Sequence, residues 1–572
     1  MALSLVGSIS MERRRHSEAV TYLEESTNIR RLLVASNREK HENLLAVVLL
    51  RHGVCCAEVG KAREAVALGE EAVMIRRRLA EKDPSHFIPY LAYALYTLAW
   101  CLSKCGKHSD AISPSMEALE MRRKLAEADP AAYEPALSGS FHSHALYLSQ
   151  SPTTLAESIE PGQEAVEIRR RLAREDPQSF DADLAWSLSN LAYDLDSCSR
   201  HSEAVPIAKD CVDIRRRLAE GNPAANEASL ASSLHRYAFY LSKSPATLAE
   251  SIEPDQEAVE IRRRLAREDP QSFDADLADS LFNLASNLDS CSRHSEAVPI
   301  AKECVDIRHR LAEGDPAAHE ASLADSLHNY AWYLSTSPTT LAESIEPGQE
   351  AVEIRRRLAR EDPQSFDADL ADSLFNLACN LDSCSRHSEA VPIAKECVDI
   401  RRGLTTRDCA TYEPLLAGAL NILAWYLAQI SGRASEAPMP AEESVKIFRR
   451  LALEDPKRSM NDLAMSLDTM AYSLNHCGRY EDALPPVLEG LEIYRKEMEG
   501  ETYEISDQNS SALHKTYVES LVGLGRDDEA SVPLKSAIII YERLVSAEPE
   551  DASYSLKLHE CRQLLERLAS GS

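Results

Sequence analysis

Glycine and aromatic side chains are scarce in this 572-residue chain, with 19 glycines and only 6% Phe, Trp and Tyr. A sheet-rich fold draws on aromatics and turn glycines, so this composition favours helices packed through Leu and Ala. No run of 18 apolar residues occurs, which excludes a helix long enough to span a bilayer. Basic charge is in deficit, 63 Lys and Arg against 92 Asp and Glu, for a net charge of −29. Nucleic acids and anionic membranes reward the opposite sign, so neither is expected as a partner, whereas a partner with basic segments is favoured. None of the fourteen cysteines forms a CxxC pair, and Met1–Ser10 has no basic flank of the kind a signal peptide carries. That start falls in register with the repeats described below and reads as a helix remnant; a reducing, cytoplasmic compartment is the expectation. Also missing are a phosphate-binding lysine loop, Gly-x-Ser-x-Gly, His-Glu-x-x-His and a dinucleotide glycine turn. No enzyme, cofactor or metal site is therefore expected.

What the chain does have is repetition. An Ile or Met precedes a basic cluster at Ile29, Ile75, Met121, Ile168, Ile214, Ile261, Ile307, Ile354, Ile400, Ile447, Ile493 and Ile540, and every spacing is 46 or 47 residues. Twelve units in one array follow from this, since insertions between them never exceed one residue. Within 274–316, Leu277, Leu281, Leu284 and Leu288 mark one helical face. After a break at Ser292–His294, Ala297, Ile300, Cys304, Ile307 and Leu311 mark a second. Ser295 is placed to cap that second helix, Pro299 to occupy its first turn, and Asp315-Pro316 to end it. Each unit is thus an antiparallel helix pair, A followed by B.

Small residues recur in fixed register. Helix A carries one at Gly7, Gly53, Ala99, Ala145, Ala192, Ala238, Ala285, Ala331, Ala378, Ala424 and Ala471. Helix B carries two, seven residues apart, such as Ala204 and Cys211, Ser251 and Ala258, or Ala297 and Cys304. Small side chains at such points let helices approach closely. A second period lies over the first: residues 247–310 and 340–403 differ at four of 64 positions, Asp255/Gly348, Ser286/Cys379, His309/Arg402 and Arg310/Gly403. Two pairs were duplicated together, which a stacked array tolerates because each unit touches only its neighbours.

The pattern resembles the tetratricopeptide repeat, best in Leu95-x-x-Leu98-Ala99…Gly106…Ala111 and Leu467-x-x-Met470-Ala471…Gly478-x-Tyr480-x-x-Ala483. The long unit, as in Asn283-Leu284-Ala285…Glu296-Ala297-Val298-Pro299-Ile300, is similar to the repeats of kinesin light chains. Related arrays accompany nucleotide-binding regulatory domains and caspase-like CHAT peptidase domains in fungi and bacteria. The resemblance implies an all-α, right-handed solenoid of about twelve helix pairs over residues 1–548, its first unit incomplete, with a capping helix in 549–572. It implies a protein-interaction scaffold, with two alternatives: the recognition region of a larger NTPase- or CHAT-peptidase-containing system, or a kinesin-light-chain-like cargo adaptor. Here the family's turn glycine is replaced by Ser199, Ser292 and Ser385. The Lys, Arg and Asn clamp that grips chaperone tails in other members has no counterpart.

In such arrays helix A lines an inner groove. The residue after its small position is Trp100, Leu146, Tyr193, Phe239, Ser286, Trp332, Cys379, Trp425 or Tyr472. One turn earlier stand Tyr96, His142, Ser189, His235, Phe282, His328, Phe375, Asn421 and Asp468, and further along lie Asp196, Asp289 and Asp382. The candidate peptide groove is therefore Tyr96, Trp100, Tyr193, His235, Phe239, Phe282, His328, Trp332, Phe375, Trp425 and Tyr472, suited to a peptide or protein of basic and aromatic character. The alternative is that these rings pack between units. Cys101 and Cys105, one turn apart, and the turn histidines His16, His108, His201, His294 and His387 read as packing residues. The Arg triplets, such as Arg169-Arg170-Arg171, read as solvated or intrahelical pairs, with Glu167 and Glu175 flanking Arg171.

Overall fold

The computed structural model describes residues 16–498, 507–547 and 552–570, which hold 24 α-helices, four short 3-10 turns and no strand. Gly7 and the Met1–Ser10 segment lie outside the described residues, as does the His16 side chain. The chain divides into two compact units, Met1–Cys291 and Ser292–Ser572.

The first unit opens with a B helix, His16–Ser36, and continues through five A–B pairs. Their A helices are Arg38–Glu58, Pro84–Lys104, Pro130–Ser149, Pro177–Ser197 and Pro223–Ser242, and the last A helix of the unit is Pro270–Ser290. The second unit opens with the B helix His294–Gly314. Its A helices are Pro316–Ser335, Pro363–Ser383, Cys409–Gln429, Pro456–His476 and Asp507–Gly523. The last helix, Ala552–Ser570, lays Tyr554, Leu558 and Cys561 into a cluster with Val518, Leu534 and Tyr541. Among the described residues no helix is long and apolar enough to cross a membrane.

Among the described residues the small positions lie in tight contacts. Ala99, Ala192, Ala238, Ala378 and Ala471 on A helices are buried, as are Ala204, Ala297, Ala390, Cys211, Cys304 and Cys397 on B helices. Successive A helices touch one another as well as their B partners, for example Arg38–Glu58 with Pro84–Lys104 and Pro456–His476 with Asp507–Gly523. A leucine at any of these positions would overpack its contact by roughly 1–3 kcal/mol.

Asp-Pro does more than end helix B. Asp176, Asp269, Asp362 and Asp455 terminate one helix and cap the next, each accepting the backbone N–H of Ser179, Ser272, Ser365 or Arg458. The proline then occupies the first helical turn, where its missing N–H leaves no bond broken. Two expectations about the following helix B are corrected. Its first residue is His294, and Ser295 lies inside the helix, which has no side-chain cap. Pro299 is an interior residue in the second turn, so one i→i−4 bond is lost there.

The A–B connections come in two kinds. One is a tight turn in which the 6→1 bond from Arg200 N to Leu195 O (2.9 Å) or Arg386 N to Leu381 O (2.8 Å) closes the helix. Gly60, Gly106, Gly478 and Gly525 hold the left-handed position of this turn, and so do Ser199, Ser292 and Ser385, at φ of 58–59°. The other kind ends in a 3-10 turn, Leu155–Ser158, Leu248–Ser251, Leu341–Ser344 or Ala434–Glu436. The hydroxyls of Thr154, Thr247 and Thr340 close the preceding A helix by donating to the carbonyls of Leu148, Leu241 and Leu334, each at 2.6 Å. Alternation of the two connections is why the duplicated block holds two helix pairs. It also puts the small residues Ser158, Ser251 and Ser344 in the 3-10 turn itself.

Candidate functional site

The Arg triplets proved to be interhelical, which corrects the intrahelical expectation. The first arginine is buried and reaches the next A helix. Arg169 Nη1 donates to Asp183 O (2.8 Å) and to Ser187 Oγ (2.5 Å), and Arg262 Nη1 to Asp276 O (2.7 Å) and Ser280 Oγ (2.5 Å). Arg355 repeats this on Asp369 O (2.9 Å) and Ser373 Oγ. The second arginine pairs with an acid on the following B helix, as in Arg216–Glu257 (2.7 Å) and Arg356–Glu396 (2.5 Å). The third reaches back to the preceding A helix, as in Arg171–Glu134 (2.7 Å) and Arg357–Glu320 (2.8 Å). Arg171 therefore uses neither Glu167 nor Glu175. The spacing of the triplets was plain in the sequence; partners 18, 40 and 37 residues away were not.

The buried serines of this clamp also hold the histidines. Nδ1 of His142, His235 and His328 lies 3.1, 3.5 and 3.1 Å from Ser187, Ser280 and Ser373 Oγ. Burial, reinforced by Arg169, pushes His142 down to about 3. Burial and the clamp arginines Arg262 and Arg355 push His235 and His328 down to about 4. His235 and His328 are thus neutral, half-buried groups, each held against a serine of the next A helix. The turn histidines His201 and His387 are clipped by Asp196 (2.6 Å) and Asp382 (2.8 Å), which ties up negative charge assigned to the face.

The aromatic residues divide by exposure. Tyr96 is half-buried, accepts from Ser143 Oγ (3.3 Å) and lies under the Arg122 guanidinium at 4.5 Å. Phe375 lies under Arg401 at 4.7 Å, and Phe282 is half-buried. Trp425 stacks on Tyr472 at 4.5 Å, and Tyr472 continues onto His476 at 4.0 Å. Tyr193 and Trp332, by contrast, are 50% and 46% exposed. Trp100 and Phe239 are half-buried, with Lys104 at 5.5 Å and Lys243 at 3.9 Å over their rings, and Arg236 lies over Tyr193 at 5.3 Å. These three cations are basic side chains beside the candidate rings. They stand on rings, an arrangement that stabilises by about 0.5–1 kcal/mol when exposed. Trp186, 50% exposed and 4.5 Å from the His142 ring, was missed. It lies outside the register of the other rings, and only the fold brings it to His142.

The family model described as tetratricopeptide repeat matches residues 184–223. That match runs from Leu184 in the A helix Pro177–Ser197 through the B helix His201–Gly221. Among curated protein sequences none matches. Several solved structures are similar at low identity. BtubC (BKLC) from P. vanneervenii is 19% identical at a TM-score of 0.33, over 45% of this chain and 95% of that one. A putative kinesin light chain of Podosopora anserina with nearly identical TPR-like repeats is 19% identical at 0.31, over 40% and 98%. The apo form of RapI is 13% identical at 0.44, over 71% and 98%.

Proposed function

We propose that this chain is a protein-interaction scaffold whose A-helix face binds a peptide or protein segment of basic and aromatic character. The observation that carries this reading is the half-exposed aromatic register of Trp100, Tyr193, Phe239 and Trp332, lying outside the Arg–Ser–His packing layer. A large ring with an exposed face offers that π-face to a partner's Lys or Arg. Overall charge of −29 draws such a partner in. Rigid flanking helices reduce the ordering cost on the scaffold side. Catalysis plays no part in this reading, and neither nucleic acid nor membrane is the partner. A reducing, cytoplasmic compartment suits the fourteen unpaired thiols.

The test is to pan a random-peptide display library on the purified full chain. Peptides carrying an aromatic residue next to Lys or Arg are expected to be enriched. Trp332→Ala and, separately, Tyr193→Ala should weaken their binding about tenfold or more without altering the thermal melt. Unchanged affinity in both variants would sink the reading.

A further inference from the structure

The repeat register exposes one pair that departs from its neighbours. In the later A helices through Pro456–His476 the residue before the small position is Leu98, Leu191, Leu284, Leu377 or Leu423, or else His144, Tyr237, Tyr330 or Met470, and the residue three after it is always leucine, as at Leu102, Leu148, Leu195 and Leu381. In the pair built from Arg38–Glu58 and Ala62–Lys82 these two positions are His52 and Cys56, the only imidazole and thiol combined at these sites. Both are buried, His52 at 2% and Cys56 at 0% exposure. They stand one helical turn apart on the same face. Opposite them, in the first turn of the next helix, is the partly exposed Glu64.

Their donor atoms lie within 4.8 Å of one another, with His52 Nε2 3.8 Å from Glu64 Oε1. Thr27 fixes the imidazole. Its hydroxyl donates to Leu23 O at 2.7 Å, so its oxygen accepts from His52 Nδ1 at 3.4 Å. That leaves Nε2 as an unprotonated lone pair, and it is buried without a hydrogen-bond partner. An unsatisfied acceptor at this depth is destabilising unless something fills its place. His144, at the equivalent position of a later pair, faces Leu148 instead of a thiol, and its Nδ1 meets Ser115 Oγ at 2.7 Å.

We propose that His52 Nε2, Cys56 Sγ and Glu64 bind a divalent transition ion of the zinc class. One nitrogen, one sulfur and one carboxylate oxygen suit zinc and are too soft a set for calcium or magnesium. A thiolate and a carboxylate cancel the ion's charge, so the buried complex is neutral. Binding releases the thiol proton to solvent, and the ion supplies the positive charge that burial alone denies the thiolate. A cavity of about 230 Å³ lined by Thr27, Arg31, His52 and Glu64 leads to the site and leaves room for water as the fourth ligand. Tetrahedral bonds bring ligand atoms to about 3.3–3.8 Å apart. Glu64, on the other helix and partly exposed, supplies the closing movement. The ion would pin the two helices of this pair together where neighbouring pairs rely on leucine packing.

The experiment is titration of the purified full chain with Co²⁺ and Zn²⁺. One equivalent of Co²⁺ should give tetrahedral visible bands and a thiolate charge-transfer band in the near ultraviolet, and Zn²⁺ should displace it. His52→Leu and Cys56→Leu restore the residues neighbouring repeats carry, so they should fold while losing the band. Glu64→Gln, at a partly exposed site, should weaken affinity by about 10-fold or more with an unchanged circular dichroism spectrum. Absence of stoichiometric Co²⁺ binding by the native chain would overturn the proposal. Retention of the band in Cys56→Leu, or of native affinity in Glu64→Gln, would do the same.

Discussion

Residues 247–291 and 340–384 are almost one sequence written twice, yet their interiors differ in chemistry. The helices keep identical bounds relative to the repeat: Ile252–Glu268 and Pro270–Ser290 in one copy, Ile345–Glu361 and Pro363–Ser383 in the other. In the first copy Asp255 is fully buried and accepts from Asn283 Nδ2 (3.0 Å) and Asn287 Nδ2 (2.7 Å). Burial outweighs those donors and Arg262, and pushes the carboxyl up to about 7. In the second copy Gly348 stands there, where an added Cβ would meet Leu377 Cδ1 at 3.3 Å. Asn376 turns instead to His328 Nε2 at 3.2 Å, and Asn380 Nδ2 is left without a partner. One side chain has removed a titratable carboxyl from the core without moving a helix boundary. The scaffold is held by features both copies share, while local polarity varies independently of it.

The largest expected effect comes from exchanging that residue. The folded pKa of Asp255 lies above the ordinary carboxylate value near 4, so the folded state holds the proton more tightly. The resulting penalty is absent below about pH 4, grows as pH rises and is complete above about 7, reaching the order of 4 kcal/mol. Asp255→Gly should therefore stabilise its helix pair at pH 8 and flatten the pH dependence between 4 and 7. Gly348→Asp should impose the same dependence on the second copy. Hydrogen exchange resolved by peptide reads each pair separately, and equal pH slopes in native and exchanged copies would refute the account.

Next in size is the shared clamp. Arg262→Ala and Arg355→Ala each strand a buried serine and a backbone carbonyl, and both should cost roughly 2–4 kcal/mol by denaturant midpoint. A large cost in one copy and none in the other would break the claim that this layer is common to both. Smaller still, Ser385→Gly should stabilise by about 1 kcal/mol, because serine pays for its Cβ at a left-handed position that glycine adopts freely. Ser292→Gly tests the same turn in the other copy. Smallest is His309→Arg. Arg402 holds Glu443 at 2.8 Å, while the equivalent His309 stands 3.6 Å from Glu350. The exchange should add at most about 1 kcal/mol, diminished by salt.

Legibility in the sequence followed the range of each interaction. Helix pairs and their close contacts could be read because Ala192, Ala238, Ala297 and their equivalents are small for a local reason repeated down the chain. The left-handed serines announced themselves by standing where the family carries glycine. His235 and His328 were legible only as ring-bearing residues on an A-helix face. Their packing role depends on a serine in the next A helix and an arginine in the B helix between, which no spacing within one helix reveals. His52 and Cys56 were hidden for a related reason, since the sequence displays them as two departures from leucine and only folding sets Glu64 against them.

The sequence by itself determined the helix pairs, their period, their Asp-Pro boundaries and the positions where backbones approach. All of these follow from local propensity and from residue size repeated in register. Tertiary structure decided which of three consecutive arginines is buried, which aromatic rings stay at the surface, and whether a buried polar group finds a donor, a serine or nothing. Those outcomes depend on the distance and direction between side chains of different helices, and these exist only once the helices have packed.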